Sequence, residues 1–159
     1  MGKEFYNNRD DKNINRLREL YAELPPFVAE YFVGVQMRTS SLTRLNYAYD
    51  LRIFFDFLSK QKLKNLPVTE MSLSDLELIT ATDLEIYMDY LSSYEFQGKH
   101  CRCGEKSKMR KLAAVRSMFK YFFNKDKLRS NVATKVEMPK LHDEAIIRLE
   151  PNEVVDLLQ

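Results

Sequence analysis

"RTSSLTRLNYAYDLRIFFDFLSKQ", residues 38–61, decides the fold. Tyr47, Leu51, Phe54 and Leu58 recur at spacings of four, three and four. That spacing aligns them on one face of an α-helix and on neither face of a strand. Thr39, Ser40 and Ser41 offer hydroxyls that can cap the first turn. Arg44 and Arg52 lie off the apolar stripe. The stretch predicts one long, half-buried helix, and the rest of the chain can be read outward from it.

Upstream, Leu17, Leu20, Tyr21 and Leu24 predict a helix over Asn13–Leu24. Pro25–Pro26 ends it, because a residue before proline is pushed out of the α region. "PFVAEYFVGVQ", residues 26–36, then resumes as a short apolar helix. Downstream, residues 60–78 carry Pro67 and several capping residues, and predict a loop with one helical turn. Thr80 stands three residues before Asp83, a capping-box pair ahead of a face built from Leu84, Tyr87, Met88 and Leu91. A fifth helix is predicted over Lys106–Asn124. No segment reads as a strand, and with only 4 Gly and 5 Pro few turns are available. The expected class is all-α, a small bundle of four to five helices.

The chain has 159 residues, 45% of them hydrophobic, with 10 Phe and 9 Tyr. That is ample for a packed core and too apolar for intrinsic disorder. No run reaches the ~20 apolar residues of a membrane span. The first residues, "MGKEFYNNRDDKN", lack the apolar centre of a signal peptide. The two cysteines, one residue apart, are too close to staple a fold, which favours a reducing compartment. The expected location is the cytoplasm, with no membrane partner.

A net charge of +2 hides an asymmetry. Residues 65–97 carry seven acidic side chains and no Lys or Arg, whereas residues 98–129 carry eleven Lys or Arg against Glu105 and Asp126. Charge concentrated in this way bears on partners. In the fifth helix, Leu112, Val115, Met118, Phe119 and Phe122 fall within one arc about 120° wide. Lys106, Arg110, Ala113, Ser117 and Lys120 fall opposite. Small residues between cations let a helix backbone approach a surface closely, as insertion in a DNA major groove requires. A solvated helix face ordinarily interleaves both signs of charge, and this one does not.

"GKHCRCGEKSKMRK", residues 98–111, admits two readings. His100, Cys101 and Cys103 are all zinc-compatible, but a structural zinc site wants four ligands in two separated pairs, and only His142 could supply a fourth. The other reading makes the stretch an exposed cationic lead-in to the fifth helix, with both thiols open to oxidation. That second reading is the expectation, with no metal and no cofactor. A free-standing enzyme has little support: each His is alone, the carboxylates read as caps and surface charge, and no Gly-rich phosphate loop occurs. No small-molecule substrate is expected. A helical protein–protein module remains the alternative to a polyanion-binding domain, with the acidic segment complementing the basic segment of a neighbour.

Four stretches in order, "SSLTRLNYAYDLRIFFDFL", "ITATDLEIYMDYL", "KSKMRKLAAVRSMFKYFF" and "LRSNVATKVEMPK", resemble the core-binding domain of the tyrosine recombinases, the phage-integrase family. The resemblance spans about residues 39–140. Asn131-Val132-Ala133 departs from the family's Asn-Pro-Ala turn, although Asn131 can still start a turn. The resemblance implies a SAM-like helical bundle that forms half of a clamp around duplex DNA, with the helix from Ser41 and the helix from Lys106 crossing the major groove. It implies phosphate contacts from Thr43 and Arg44, and a groove-facing set of Lys106, Ser107, Arg110, Ser117 and Lys120. Arg110 is the expected base reader, since a guanidinium–guanine fork is the commonest specific contact.

The implied domain division is an N-terminal helical extension at 1–37, a DNA-binding domain at 38–137, and a linker opening a catalytic domain at 138–159. The family's catalytic domain carries an Arg–Lys–His-x-x-Arg–His/Trp–Tyr set whose tyrosine attacks a DNA phosphodiester. No His-x-x-Arg occurs in these 159 residues, and none of the nine tyrosines can be assigned as the nucleophile. The expected partners are double-stranded DNA and further recombinase protomers, assembled as a tetramer in the family. The expectation is a chain that binds DNA in integration and recombination without itself cutting it.

Overall fold

Helix α3, Ser41–Gln61, is the central rod of a computed structural model that describes residues 2–138, with side chains from residue 8. Ser40 caps it, its Oγ accepting from the Thr43 backbone N–H at 3.0 Å. Leu51, Phe54 and Leu58 are buried as their spacing predicts, while Tyr47 is half-buried. The buried surface is wider than that stripe and takes in Leu45, Ala48, Phe55 and Phe57. The reason is that α3 is covered on more than one side, by α1, Gly2–Leu20, and by α6, Glu105–Asn124.

Helix α1 runs from Gly2 to Leu20, longer at its start than the expected helix and shorter at its end. Its last predicted turn is a separate 3-10 turn, Tyr21–Glu23, ahead of extended Leu24 and the prolines. Ser41 is buried and joins α1 to α3: its Oγ donates to Asp10 Oδ1 at 2.5 Å and accepts from Asn13 Nδ2 at 3.1 Å. Helix α2, Pro26–Gly34, opens with proline in its first turn and buries Val28, Tyr31 and Phe32. Phe27 stacks edge-on against both Phe55 of α3 and Phe122 of the last helix, at 5.8 and 5.6 Å between ring centroids.

The connector after α3 holds a 3-10 turn, Val68–Glu70, and a single α-turn, α4, Leu73–Leu76. Helix α5, Ala81–Tyr90, starts at the predicted capping box. Thr80 Oγ1 accepts from Asp83 N at 3.1 Å, and the Asp83 carboxylate accepts from Thr80 N at 2.9 Å. Burial pushes the Asp83 carboxyl up, but the bonds from Thr80 and Lys62 outweigh it and hold the group below its ordinary range.

The bundle also contains one element that periodicity does not reveal. Strands β1, Tyr94–Phe96, and β2, Lys99–Cys101, pair antiparallel with Tyr94 opposite Cys101 and Phe96 opposite Lys99. Gln97 and Gly98 turn the hairpin, both at positive φ (52° and 79°), the pattern of a two-residue primed turn. Residues 98–101, the start of the stretch read as an exposed cationic lead-in, form the turn and second strand of this hairpin, whose first residue, Tyr94, is buried. Three-residue strands are too short to show alternation.

Helix α6, Glu105–Asn124, buries Leu112, Val115, Met118, Phe119 and Phe122 as predicted. It also buries Lys111. The Lys111 ammonium donates to Asp50 Oδ1 of α3 at 2.9 Å, and the side chains are 7% and 3% exposed. Arg110 adds a fork to the same carboxylate, Nε to Oδ2 and Nη2 to Oδ1, both at 3.2 Å. After α6, Asn131 does begin a turn, its carbonyl accepting from Thr134 Oγ1 at 2.8 Å. The 3-10 turn Val132–Lys135 follows, and Arg116 of α6 holds it by donating to the carbonyls of Ala133 and Val136 at 3.2 and 3.0 Å. All but the first residue of the linker expected at 138–159, and with it His142, lie outside the described residues.

Removing one partner of a buried ion pair strands the other charge. Asp50→Ala is expected to lower the unfolding free energy in urea by about 3–5 kcal/mol, and Asp50→Leu combined with Lys111→Met to recover most of that loss.

Candidate nucleic-acid interface

The face of α6 opposite its apolar arc and the turn preceding α3 meet along one open groove. Arg38, Ala113, Arg116, Ser117, Lys120 and Met138 line a volume of about 320 Å³. Ala113 and Ser117 line it together with Arg116 and Lys120 of α6, so the small residues picked out by sequence stand beside charges. Lys120 and Arg38 are exposed, and Lys106 is exposed nearer the start of α6.

Each predicted contact residue has a definite environment. Thr43 lies inside the α3 cap: its Oγ1 accepts from Ser40 Oγ at 3.0 Å. Arg44 is half-buried, and its Nη1 donates to the carbonyls of Gln36 and Thr39 at 3.1 and 2.7 Å, and to Thr39 Oγ1 at 3.2 Å. It ties down the 3-10 turn Gln36–Arg38 that carries Arg38 into the groove. Ser107 donates to Cys103 Sγ at 3.4 Å. Arg110 is forked onto Asp50, although its side chain remains 57% exposed. The hydrogen bonds to Asp50 raise its already high pKa further, so the guanidinium is permanently charged.

Ser117 faces the groove but is also bonded to Tyr31 Oη of α2 at 2.5 Å. Burial pushes the Tyr31 hydroxyl up to about 12, against the opposing pull of that bond, so it stays neutral. The structure thus brings Ser117 and Lys120 together with Arg38. It engages Thr43, Arg44 and Ser107 in local contacts.

The basic segment is less free than its composition suggests. Lys108 donates to Ser92 Oγ at 2.7 Å, Lys127 pairs with Glu30 at 2.6 Å, and Lys111 and Arg116 are tied up inside the fold. Arg38 was missed by sequence reasoning, because it precedes the cap and belongs to no periodic face. Asp50 and Lys111 were missed as well, although both occur at or beside apolar positions, where a charge implies a partner.

At the hairpin, His100 is exposed and opposite Glu95, and both cysteines are free and half-buried. Cys103 Sγ lies 3.8 Å from the Tyr94 hydroxyl, and Cys101 Sγ lies 3.7 Å from the Lys99 carbonyl. Among the described residues, no three His, Cys, Asp or Glu side chains are grouped so as to hold a metal ion. No helix among them is long and apolar enough to cross a membrane.

Over 126 residues the chain is 34% identical to the tyrosine recombinase XerC of Caldanaerobacter subterraneus subsp. tengcongensis, an alignment covering 74% of this chain and 35% of that relative. The chain belongs to the tyrosine recombinase family. The tyrosine recombinase XerC of Leptospira interrogans serogroup Icterohaemorrhagiae serovar copenhageni is 27% identical over 128 residues, covering 80% of this chain and 36% of that relative. No family model and no solved structure matches it. The chain spans about a third of the length of the curated relatives it matches.

The groove-lining Ser117 is also a packing residue. Ser117→Ala leaves the buried Tyr31 hydroxyl without its partner and is expected to lower the unfolding free energy by about 1–3 kcal/mol. Thermal or urea unfolding checks this, and an unchanged midpoint would show that the Tyr31 bond contributes nothing.

Proposed function

We propose that this chain is the DNA-binding, core-binding part of a site-specific tyrosine recombinase, with residues 38–137 as the domain that grips duplex DNA. The supporting observation is the open groove that gathers Arg38, Arg116 and Lys120 around Ala113 and Ser117, on a chain of the recombinase family. Small residues let the phosphate backbone come close, and the exposed cations beside them reach its oxygens. Lys106, Lys120 and Arg38 act on phosphates. Thr43 and Arg44 act indirectly, by building the cap and turn that present Arg38. Helices α3 and α6 are the elements that approach the major groove, and most of their contacts fix position rather than read sequence.

Strand cleavage and rejoining belong, on this reading, to residues beyond those described, and DNA integration and recombination to the assembled protein. The location that goes with this reading is the cytoplasm. Helix α1 braces α3, and α2 packs against both α3 and α6 through Phe27 and Tyr31.

A protein-binding role has its own support. Leu78 and Ile86 are 57% and 51% exposed, amid Glu77, Glu85 and Asp89. An acidic face with an apolar centre suits a neighbouring recombinase protomer on the same DNA, so this role accompanies DNA binding rather than replacing it.

Fluorescence anisotropy with a short duplex tests the proposal. Binding is expected to be weak and steeply salt-dependent, with a log–log slope of about −4.5 for about five phosphate contacts. Lys106→Ala and Lys120→Ala are expected to weaken it at unchanged thermal stability. No detectable duplex affinity at ~50 mM salt would overturn the reading.

A further inference from the structure

We propose that Arg110 has two positions, on Asp50 in the free protein and on a DNA phosphate in the complex, so that Asp50 controls how much of the cationic face DNA can use. The inference rests on the DNA-binding reading above and goes further, by assigning a regulating role to a buried carboxylate.

Asp50 carries one negative charge and meets two cations. Lys111 alone neutralises it. Its Nζ approaches to 2.9 Å, and its side chain is 7% exposed, so it has no course to solvent that does not break the core. Arg110 is the surplus partner. Its two bonds are longer, at 3.2 Å, and its side chain is 57% exposed. Tyr94, which also acts on it, is kept neutral by burial and gives it no competing charge.

If Arg110 swings away, Asp50 and Lys111 remain as a neutral buried pair, and no charge is stranded. A phosphodiester offers the guanidinium the same two-oxygen fork that it leaves. Lys106, one turn earlier on α6, is exposed and already marks where the duplex backbone would run. In the free chain Arg110 is held in one rotamer beside that line, which lowers the entropy lost when it transfers. Part of its attraction for other polyanions is meanwhile cancelled by Asp50. Arg110 therefore differs from Lys106 and Lys120, which reach solvent with no carboxylate to leave.

Duplex affinity against salt, with urea unfolding in parallel, tests this on the chain as it exists. Arg110→Ala is expected to keep the unfolding midpoint and to reduce the magnitude of the salt slope by about 0.9. Asp50→Leu combined with Lys111→Met, which frees Arg110 without stranding a charge, is expected to bind duplex several-fold more tightly at fixed salt, and adding Arg110→Ala should abolish the gain. If that combined variant does not fold, the slope of Arg110→Ala decides alone. An unchanged slope for Arg110→Ala, while Lys120→Ala still weakens binding, would show that Arg110 stays on Asp50, sinking the proposal and leaving the DNA reading intact. A large fall in the Arg110→Ala midpoint would overturn it too, since Asp50 would then need both cations. Absence of any duplex binding by the unaltered chain would remove the DNA reading and this inference together.

Discussion

A buried carboxylate in the middle of α3 cannot remain charged without a partner, and Asp50 takes its partner from α6. That requirement fixes the rotation of α6 about its axis. Once Lys111 points inward beside Leu112 and Val115, the helix can only present Lys106, Ala113, Ser117 and Lys120 on its other side. A rotation that buried Ser117 more deeply would pull Lys111 away from Asp50 and leave two buried charges. Apolar side chains alone tolerate some sliding, because one hydrophobic contact substitutes for another. An ion pair at 2.9 Å does not. The orientation of the cationic face is thus tied to a buried ion pair, with the Tyr31–Ser117 bond beside it, within a mainly aromatic and aliphatic core.

The same economy recurs at the margins of that face. Arg44 joins the turn before α3 to the helix itself, and Arg116 joins the end of the described chain to α6. Each uses a guanidinium to bond backbone carbonyls in or at the end of an adjoining 3-10 turn. Ser117 joins α2 to α6 through Tyr31. These contacts are structural, yet they lie next to the groove they shape, so positively charged side chains near it divide into those that build and those that remain available. Arg38, Lys106 and Lys120 are the available ones.

The bundle was largely legible from the sequence. Spacings of three and four gave α3, α5 and α6, and the Thr80–Asp83 pair gave a helix start that the structure reproduces bond for bond. What escaped has physical causes. The hairpin at 94–101 rests on two strands of three residues and a positive-φ Gln-Gly turn, too little sequence for periodicity to register. The first helix was misplaced because residues 2–12 are polar and show no stripe. The candidate site was legible as a face but not residue by residue. Spacing separates inside from outside, whereas Arg44, Ser107 and Ser117 are partly both, and which neighbour a side chain bonds depends on helices far apart in sequence. One clue was present and unread: Lys111 falls within the apolar arc of α6, where a lone ammonium demands a buried acid.

Backbone amide shifts recorded while a short DNA duplex is added to the chain test the central claim most directly. The account predicts that shifts concentrate at Arg38–Arg44 and along Lys106–Lys120, fade as salt is raised, and leave Ala81–Tyr90 unmoved. Shifts centred on Ala81–Tyr90 instead, or none at low salt, would contradict it.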